Sequence, residues 1–223
     1  GNVIPDDELA RLHRRCRQAG VPLIIDGAYG TPFPEILFTD VQPLWDRDII
    51  VCLSLSKLGL PAARCGIVVA DAAIISALAA ANTISCLATG SIGAGMAEPL
   101  VRSGEILRLS RDIIRPFYRA RCQAALQQLQ AELAGLPTRI HVPEGALFLW
   151  LWCPDLPISS QELYQRLKRR QVLVVPGEHF FPGLPDDGWR HRQECLRISY
   201  AMDPHQVQEG LAIIAQEVRA AYG

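Results

Sequence analysis

The first half of this chain is predicted to be α/β, with a mostly parallel sheet and helices, and the second half a small α+β domain. Three observations carry this. Short apolar runs, Val21 to Ile25 and Ile49 to Leu53, have the continuous apolar character of strands covered on both faces. Polar residues, Asp26, Ser54 and Lys57, collect where those runs end, which is where open α/β sheets bind ligands. Beyond residue 116 the pattern becomes a mixture of helices and strands that reads as helices layered on a small sheet. The boundaries are therefore set at 1–115 and 116–223.

Taken in order, Asp6 or Asp7 caps a helix with apolar positions Leu9, Leu12, Cys16 and Ala19, and Gly20 followed by Pro22 stops it. The run Val21 to Ile25 is a strand with Asp26 at its carboxyl end. Residues Gly30 to Leu44, with Pro32, Pro34, Pro43, Phe33 and Phe38, read as an ordered loop. A strand through Leu53 leads into Ser54-Leu55-Ser56-Lys57, and a further strand runs from Arg64 to Ala70. Ala72 to Ala81 is an alanine-rich helix, and Thr89 to Gly95 opens another through small residues that permit close packing. A long helical region reaches Leu133, punctuated by Gly104 and kinked near Pro116. Ala146 to Cys153 is strand-like. Ser159 caps a helix through Arg170, with Glu162 completing a capping box. Val172 to Pro176 and Cys195 to Tyr200 are strands, and the final helix starts after Asp203-Pro204.

Composition removes several function classes. The 223 residues are 49% hydrophobic with a formal charge of -1, and no basic run with interleaved aromatics offers a nucleic-acid surface. No apolar run reaches the roughly 18 residues that a bilayer span needs. The seven cysteines are odd in number, scattered and never in a Cys-x-x-Cys pair, so they read as buried thiols in a reducing cytosol rather than disulfides or a zinc site. His141, His179 and His191 show no ligand spacing, and no metal is expected.

Lys57 closes an apolar run, where an ammonium is poorly solvated and the neutral amine that condenses with an aldehyde is favoured. Ser54 and Ser56 precede it, and Arg64, a planar cation suited to a phosphate dianion, follows seven residues on. Singly, Lys57 also reads as a surface lysine, Arg64 as a strand-edge charge and Asp26 as a turn residue before Gly27. Together they describe a site for one phosphorylated carbonyl compound.

This ordered set, Asp26-Gly27-Ala28-Tyr29, Ser54-Leu55-Ser56-Lys57 with Arg64, and Leu196-Arg197-Ile198-Ser199, resembles the fold-type I aminotransferases from end to end of the chain. Many members place the arginine eight residues after the lysine, where this chain has seven. The resemblance implies pyridoxal 5'-phosphate as cofactor. Lys57 would be the Schiff-base lysine, Asp26 the partner of the pyridine nitrogen, Tyr29 that of the ring hydroxyl, and Ser54, Ser56 and Arg64 the phosphate cradle. Arg197, in a strand with no local acid to pair with, would take the substrate carboxylate. The implied reaction exchanges an amino group between valine or alanine and pyruvate or 2-oxoisovalerate, in a cytoplasmic homodimer without nucleic-acid or membrane partners. A lyase would keep the same residues, and a non-catalytic effector-binding domain of this fold is the other class. The resemblance further implies that Gly1 to Pro5 is the tail of an Asn-Pro-Thr-Gly turn, so the chain is expected to be a C-terminal fragment, inefficient alone, with an exposed apolar sheet edge.

Overall fold

The computed structural model describes residues 2–185 and 188–223. Gly1, the expected end of that turn, lies outside them. Two compact units are present, Val3–Phe117 and one whose body is Tyr118–Gly223, and the division falls within a helix.

The first unit opens with α1 (Asp6–Gln18), whose N-cap is Pro5. Asp6 does not cap it; its carboxylate accepts the Gln42 N–H instead. The buried residue of α1 is His13, while Leu12 is exposed. The inward stripe is thus Leu9, His13 and Cys16, because His13 meets acids rather than apolar side chains. Its Nε2 lies 3.0 Å from Asp48 and 4.0 Å from Asp46, and Arg17, one turn on, bridges both carboxylates. The His13, Asp46 and Asp48 ligand atoms lie within 4.8 Å of one another, but Arg17 already pairs with both carboxylates, and the cluster is a polar clamp on α1.

Strands β1 (Leu23–Gly27), β2 (Ile49–Ser54) and β3 (Gly66–Val69) form a sheet in that order. β1 runs parallel to β2, with Asp26 opposite Cys52, and β3 is antiparallel, with Gly66 opposite Ser54. The sheet of this chain is thus half parallel. Since side chains alternate along a strand, Leu23, Ile25, Ile49, Val51 and Leu53 face one side, and Ile24, Asp26, Ile50, Cys52 and Ser54 the other. The first side carries the core, where Ile49, Val51, Leu53, Leu55 and Leu58 pack with Phe33, Ala97 and Ile106. The second is open: Ile24 is 63% exposed. The expectation that β1 is covered on both faces is therefore corrected, because the residues of β1 on that face, Ile24 and Asp26, are exposed.

Helix α2 (Ala72–Cys86) is capped by Asp71, which accepts the Ala73 N–H, and buries none of its side chains. α3 (Ile92–Ser103) ends at Gly104, whose φ of 76° suits a residue without a Cβ. After α4 (Glu105–Leu109) the turn Ser110–Ile114 is π-helical, the Arg115 N–H reaching back to the Ser110 carbonyl, and α5 (Arg115–Glu132) follows. The irregularity expected at Pro116 thus lies one turn earlier, among the carbonyls that a proline without an N–H leaves unpaired.

In the second unit β4 (Arg139–Ile140), β5 (Phe148–Trp152), β6 (Val175–Pro176) and β7 (Cys195–Ser199) form a sheet in the order β4-β5-β7-β6. Leu149, Leu151, Leu196 and Ile198 share the inner face and are almost fully buried. α6 (Ser160–Arg169) and α7 (Pro204–Tyr222) supply Leu163, Leu167, Leu211, Ile214 and Val218 to the core. Ser159 accepts the Glu162 N–H at 3.1 Å, but Glu162 pairs with Arg166 instead of reaching back, so only half of the capping box forms. Of the seven cysteines, Cys122, Cys153 and Cys195 are buried and the other four are at least partly accessible; all are free thiols. Burial pushes Cys153 and Cys195 up to about 12, leaving both unreactive.

Candidate active site

Asp26, Ser54 and the loop that brings in Arg64, two residues before β3 and not at its start as expected, gather at one end of the first sheet, because the carboxyl ends of parallel β1 and β2 coincide with the start of antiparallel β3. The chain crosses between β2 and β3 through two 3-10 turns, Ser56–Leu58 and Pro61–Ala63. The loop is closed at its base by the Leu55 N–H, which donates to the Cys65 carbonyl at 3.2 Å. Gly59 has φ 95°, and Arg64 itself is left-handed at φ 46°, ψ 42°. A non-glycine residue held there costs on the order of 1–3 kcal/mol and persists where surrounding contacts impose it. Helix α3 supplies them: Gly93 is buried so close to this loop that an added Cβ would lie 2.2 Å from the Ala63 carbonyl oxygen.

Within the loop, the Ser54 Oγ accepts the Ser56 N–H at 3.2 Å, which fixes the turn and leaves the Ser54 hydroxyl proton to donate. Lys57 is half-buried, with its Nζ 5.6 Å from the centroid of the Tyr29 ring. Tyr29 is placed by its own loop, whose carbonyl accepts the Ile36 N–H, in a segment with cis bonds at Thr31-Pro32 and Phe33-Pro34. Arg115 holds that segment through Glu35, Asp40 and the Thr39 carbonyl. Residues 30–44 are thus the ordered loop expected.

Asp26 departs from expectation. It is exposed, not a buried carboxylate in need of a partner, because it sits on the open face of an edge strand. Its Oδ1 accepts the Ala28 N–H at 3.1 Å, so the turn reading holds and the second oxygen remains for a ligand. Lys57 likewise is partly solvated rather than enclosed. The residues fit a phosphorylated pyridine aldehyde. The carboxylate, the hydroxyls and two cations without an acid partner among the described residues share one sheet end, and Lys57 meets Tyr29 there.

Arg197 belongs to the second unit. It is on β7, an inner strand, between Trp150 of β5 and Val175 of β6, which excludes the alternative of an exposed arginine on an edge strand. Its guanidinium carbon lies 4.2 Å from the centroid of Phe148 and 4.7 Å from that of Phe180. No acid among the described residues pairs with it. Sequence reasoning missed both rings, since no spacing reveals which side chain lies diagonally across a sheet. It also missed Gly93 as the prop of the Arg64 loop and the clamp made by His13.

A sheet end that presents a lysine, a carboxylate and a phosphate-suited loop defines a class of cofactor-using α/β proteins. The aminotransferase class I and II family matches residues 1–214; the chain belongs to that family. It is 48% identical to valine–pyruvate aminotransferase of Escherichia coli (strain K12), over 100% of this chain and 53% of that protein. The crystal structure of valine-pyruvate aminotransferase from Salmonella typhimurium LT2 superposes with a TM-score of 0.92 at 48% identity, over 99% of this chain and 57% of that one. An α-aminoadipate aminotransferase from Thermus thermophilus, complexed with N-(5'-phosphopyridoxyl)-L-leucine, gives 0.83 at 25% identity, over 100% of this chain and 56% of that one. The chain spans about half the length of the curated relatives it matches.

Proposed function

We propose that this chain is the part of a pyridoxal-phosphate-dependent aminotransferase that carries the reactive lysine and the substrate-carboxylate arginine, with valine or alanine as amino donor and pyruvate or 2-oxoisovalerate as acceptor. The observation that carries the reading is the meeting of Lys57 and Tyr29 at the strand ends that bear Asp26 and Ser54. The 48% identity to valine–pyruvate aminotransferase supports the choice of substrates. When bound, the cofactor supplies an electron sink for charge developing at the substrate α-carbon. Asp26 would hold the ring nitrogen protonated, and Tyr29 would bond the ring hydroxyl. Ser54, Ser56 and Arg64 hold the phosphate, Arg64 through the planar fork that suits a dianion. Lys57 would hold the cofactor aldehyde, and its free Nζ would move the proton from the substrate α-carbon to the cofactor C4′. Arg197 orients the α-carboxylate.

In this reading 1–115 is part of a large cofactor-binding domain and 116–223 a small domain, and the working form is a cytoplasmic homodimer. No helix among the described residues is long and apolar enough to cross a membrane. Sedimentation at the 24.6 kDa of one chain would argue against the dimer, and recovery in the membrane or periplasmic fraction against the cytoplasm. The central test is borohydride reduction in the presence of pyridoxal phosphate followed by peptide mapping. The pyridoxyl label is expected on Lys57. A label on Lys168, the other lysine, would sink the assignment.

A further inference from the structure

We infer that Phe148 and Phe180 are positioning residues for Arg197, holding its guanidinium between two rings so that only its N–H edge is open to a carboxylate. The inference rests on the reading of Arg197 as the substrate-carboxylate residue.

On β5 and β7, Leu149 and Leu151 pair with Ile198 and Leu196 on the core side, which places Phe148, Trp150 and Arg197 together on the other. Phe148 is the diagonal neighbour of Arg197, a spacing that long and aromatic side chains can bridge, and its centroid lies 4.2 Å from the guanidinium carbon. Phe180 arrives by a different route. β6 pairs with β7 through Val175 and Pro176, and the chain then makes the 3-10 turn Gly177–Phe180. Gly177 permits that turn because a Cβ there would meet the Cys195 Cβ at 2.6 Å and the Arg192 carbonyl at 2.9 Å. The turn sets Phe180 over the guanidinium at 4.7 Å. Trp150 braces Phe180 edge-on, with centroids 5.2 Å apart and planes at 86°.

Both distances lie within the range of cation–π attraction. A free arginine samples many rotamers, and ordering it on binding costs affinity. Rings at these two places restrict that sampling beforehand. Rings against the guanidinium faces would leave uncovered the in-plane donors, the ones that form two parallel bonds to a carboxylate. Because Phe180 is 38% exposed, its role is not explained by the core.

The test uses the 223-residue chain labelled with 15N-arginine, and pyruvate alone as probe. The Arg197 Nε–H resonance, identified by its loss in Arg197→Lys, is expected upfield through the ring currents of both phenylalanines and to move saturably with pyruvate. Phe180→Leu and Phe148→Leu should each relax the upfield shift and weaken pyruvate by about 2- to 30-fold, the range of a single cation–π contact. Phe180→Tyr should restore both. If the leucine variants bind pyruvate as tightly as the parent while Arg197→Leu does not, the positioning role is overturned and the carboxylate reading stands. If Arg197→Leu binds as tightly as the parent, or the parent does not bind at all, both fall.

Discussion

Replacing Gly93 by alanine, set beside the same exchange at Gly95, isolates the contact that props the loop of Lys57 and Arg64. Both glycines lie in α3, and alanine gains about 1 kcal/mol of helix propensity over glycine at either. At Gly95 an added Cβ meets nothing within 4 Å; at Gly93 it would lie 2.2 Å from the Ala63 carbonyl oxygen and 3.1 Å from the Cys65 Cβ. Carbon and oxygen settle no closer than about 3.3 Å, so one backbone must give by about 1 Å, an overpacking that costs about 1–3 kcal/mol. Gly95→Ala is therefore expected to stabilise by about 1 kcal/mol, and Gly93→Ala to fall about 1–3 kcal/mol below it. The propensity cancels in the difference. Because two units need not unfold together, the titration in urea should be read at 19F-labelled Trp45, the one tryptophan within residues 3–117. Pyridoxal phosphate should also bind more weakly to Gly93→Ala than to Gly95→Ala. Coincident urea midpoints for the two variants would refute the reasoning.

Two further outcomes test the supports around the site. The hydrogen bond from His13, ahead of Asp48's own backbone amide and the Arg17 charge, holds the Asp48 carboxyl below its ordinary value of 3.8. The folded value is the lower one, so this contribution is complete above about pH 4 and is lost as pH falls through 3.8 and below. Amide exchange in α1 should accelerate over that window, and an equally steep acid response in Asp48→Asn would show that the clamp is not its source. Arg115→Ala removes the partner of the largely buried Glu35 and frees the Tyr29 loop, at a cost on the order of 1–3 kcal/mol. Proteolysis within residues 30–44 should rise, and an unchanged cleavage rate would count against the arginine as the loop's anchor.

The elements were legible where the local signal was strong. The run Ile49 to Leu53, the cap at Ser159 and the start of the last helix at Asp203-Pro204 appear close to their predicted places, because an unbroken apolar run and a capping side chain act over a few residues. Boundaries drifted where apolar character outran pairing. Val172 to Pro176 reads as a strand, yet only Val175 and Pro176 pair with β7. The inward stripe of α1 was misread for a different reason. Leu12 is apolar and His13 is not, but Asp46, Asp48 and Arg17 make the inward position a polar one, and the two acids lie more than thirty residues away in the chain.

The same division governs the candidate site. Residues close in sequence, such as Ser54, Ser56 and Lys57, announce themselves through spacing, and the likeness to a family adds their roles. What spacing does not carry is the second layer. The close approach of α3 to the loop that carries Arg64 depends on a glycine 29 positions later, and the two rings near Arg197 are brought there by a strand register and by the turn that begins at Gly177. An arginine alone in a strand is ambiguous between a surface charge and a ligand-binding group. The rings of Phe148 and Phe180 near the Arg197 guanidinium supply no anion, and no acid among the described residues pairs with it, which is the physical ground for proposing that it meets a ligand carboxylate.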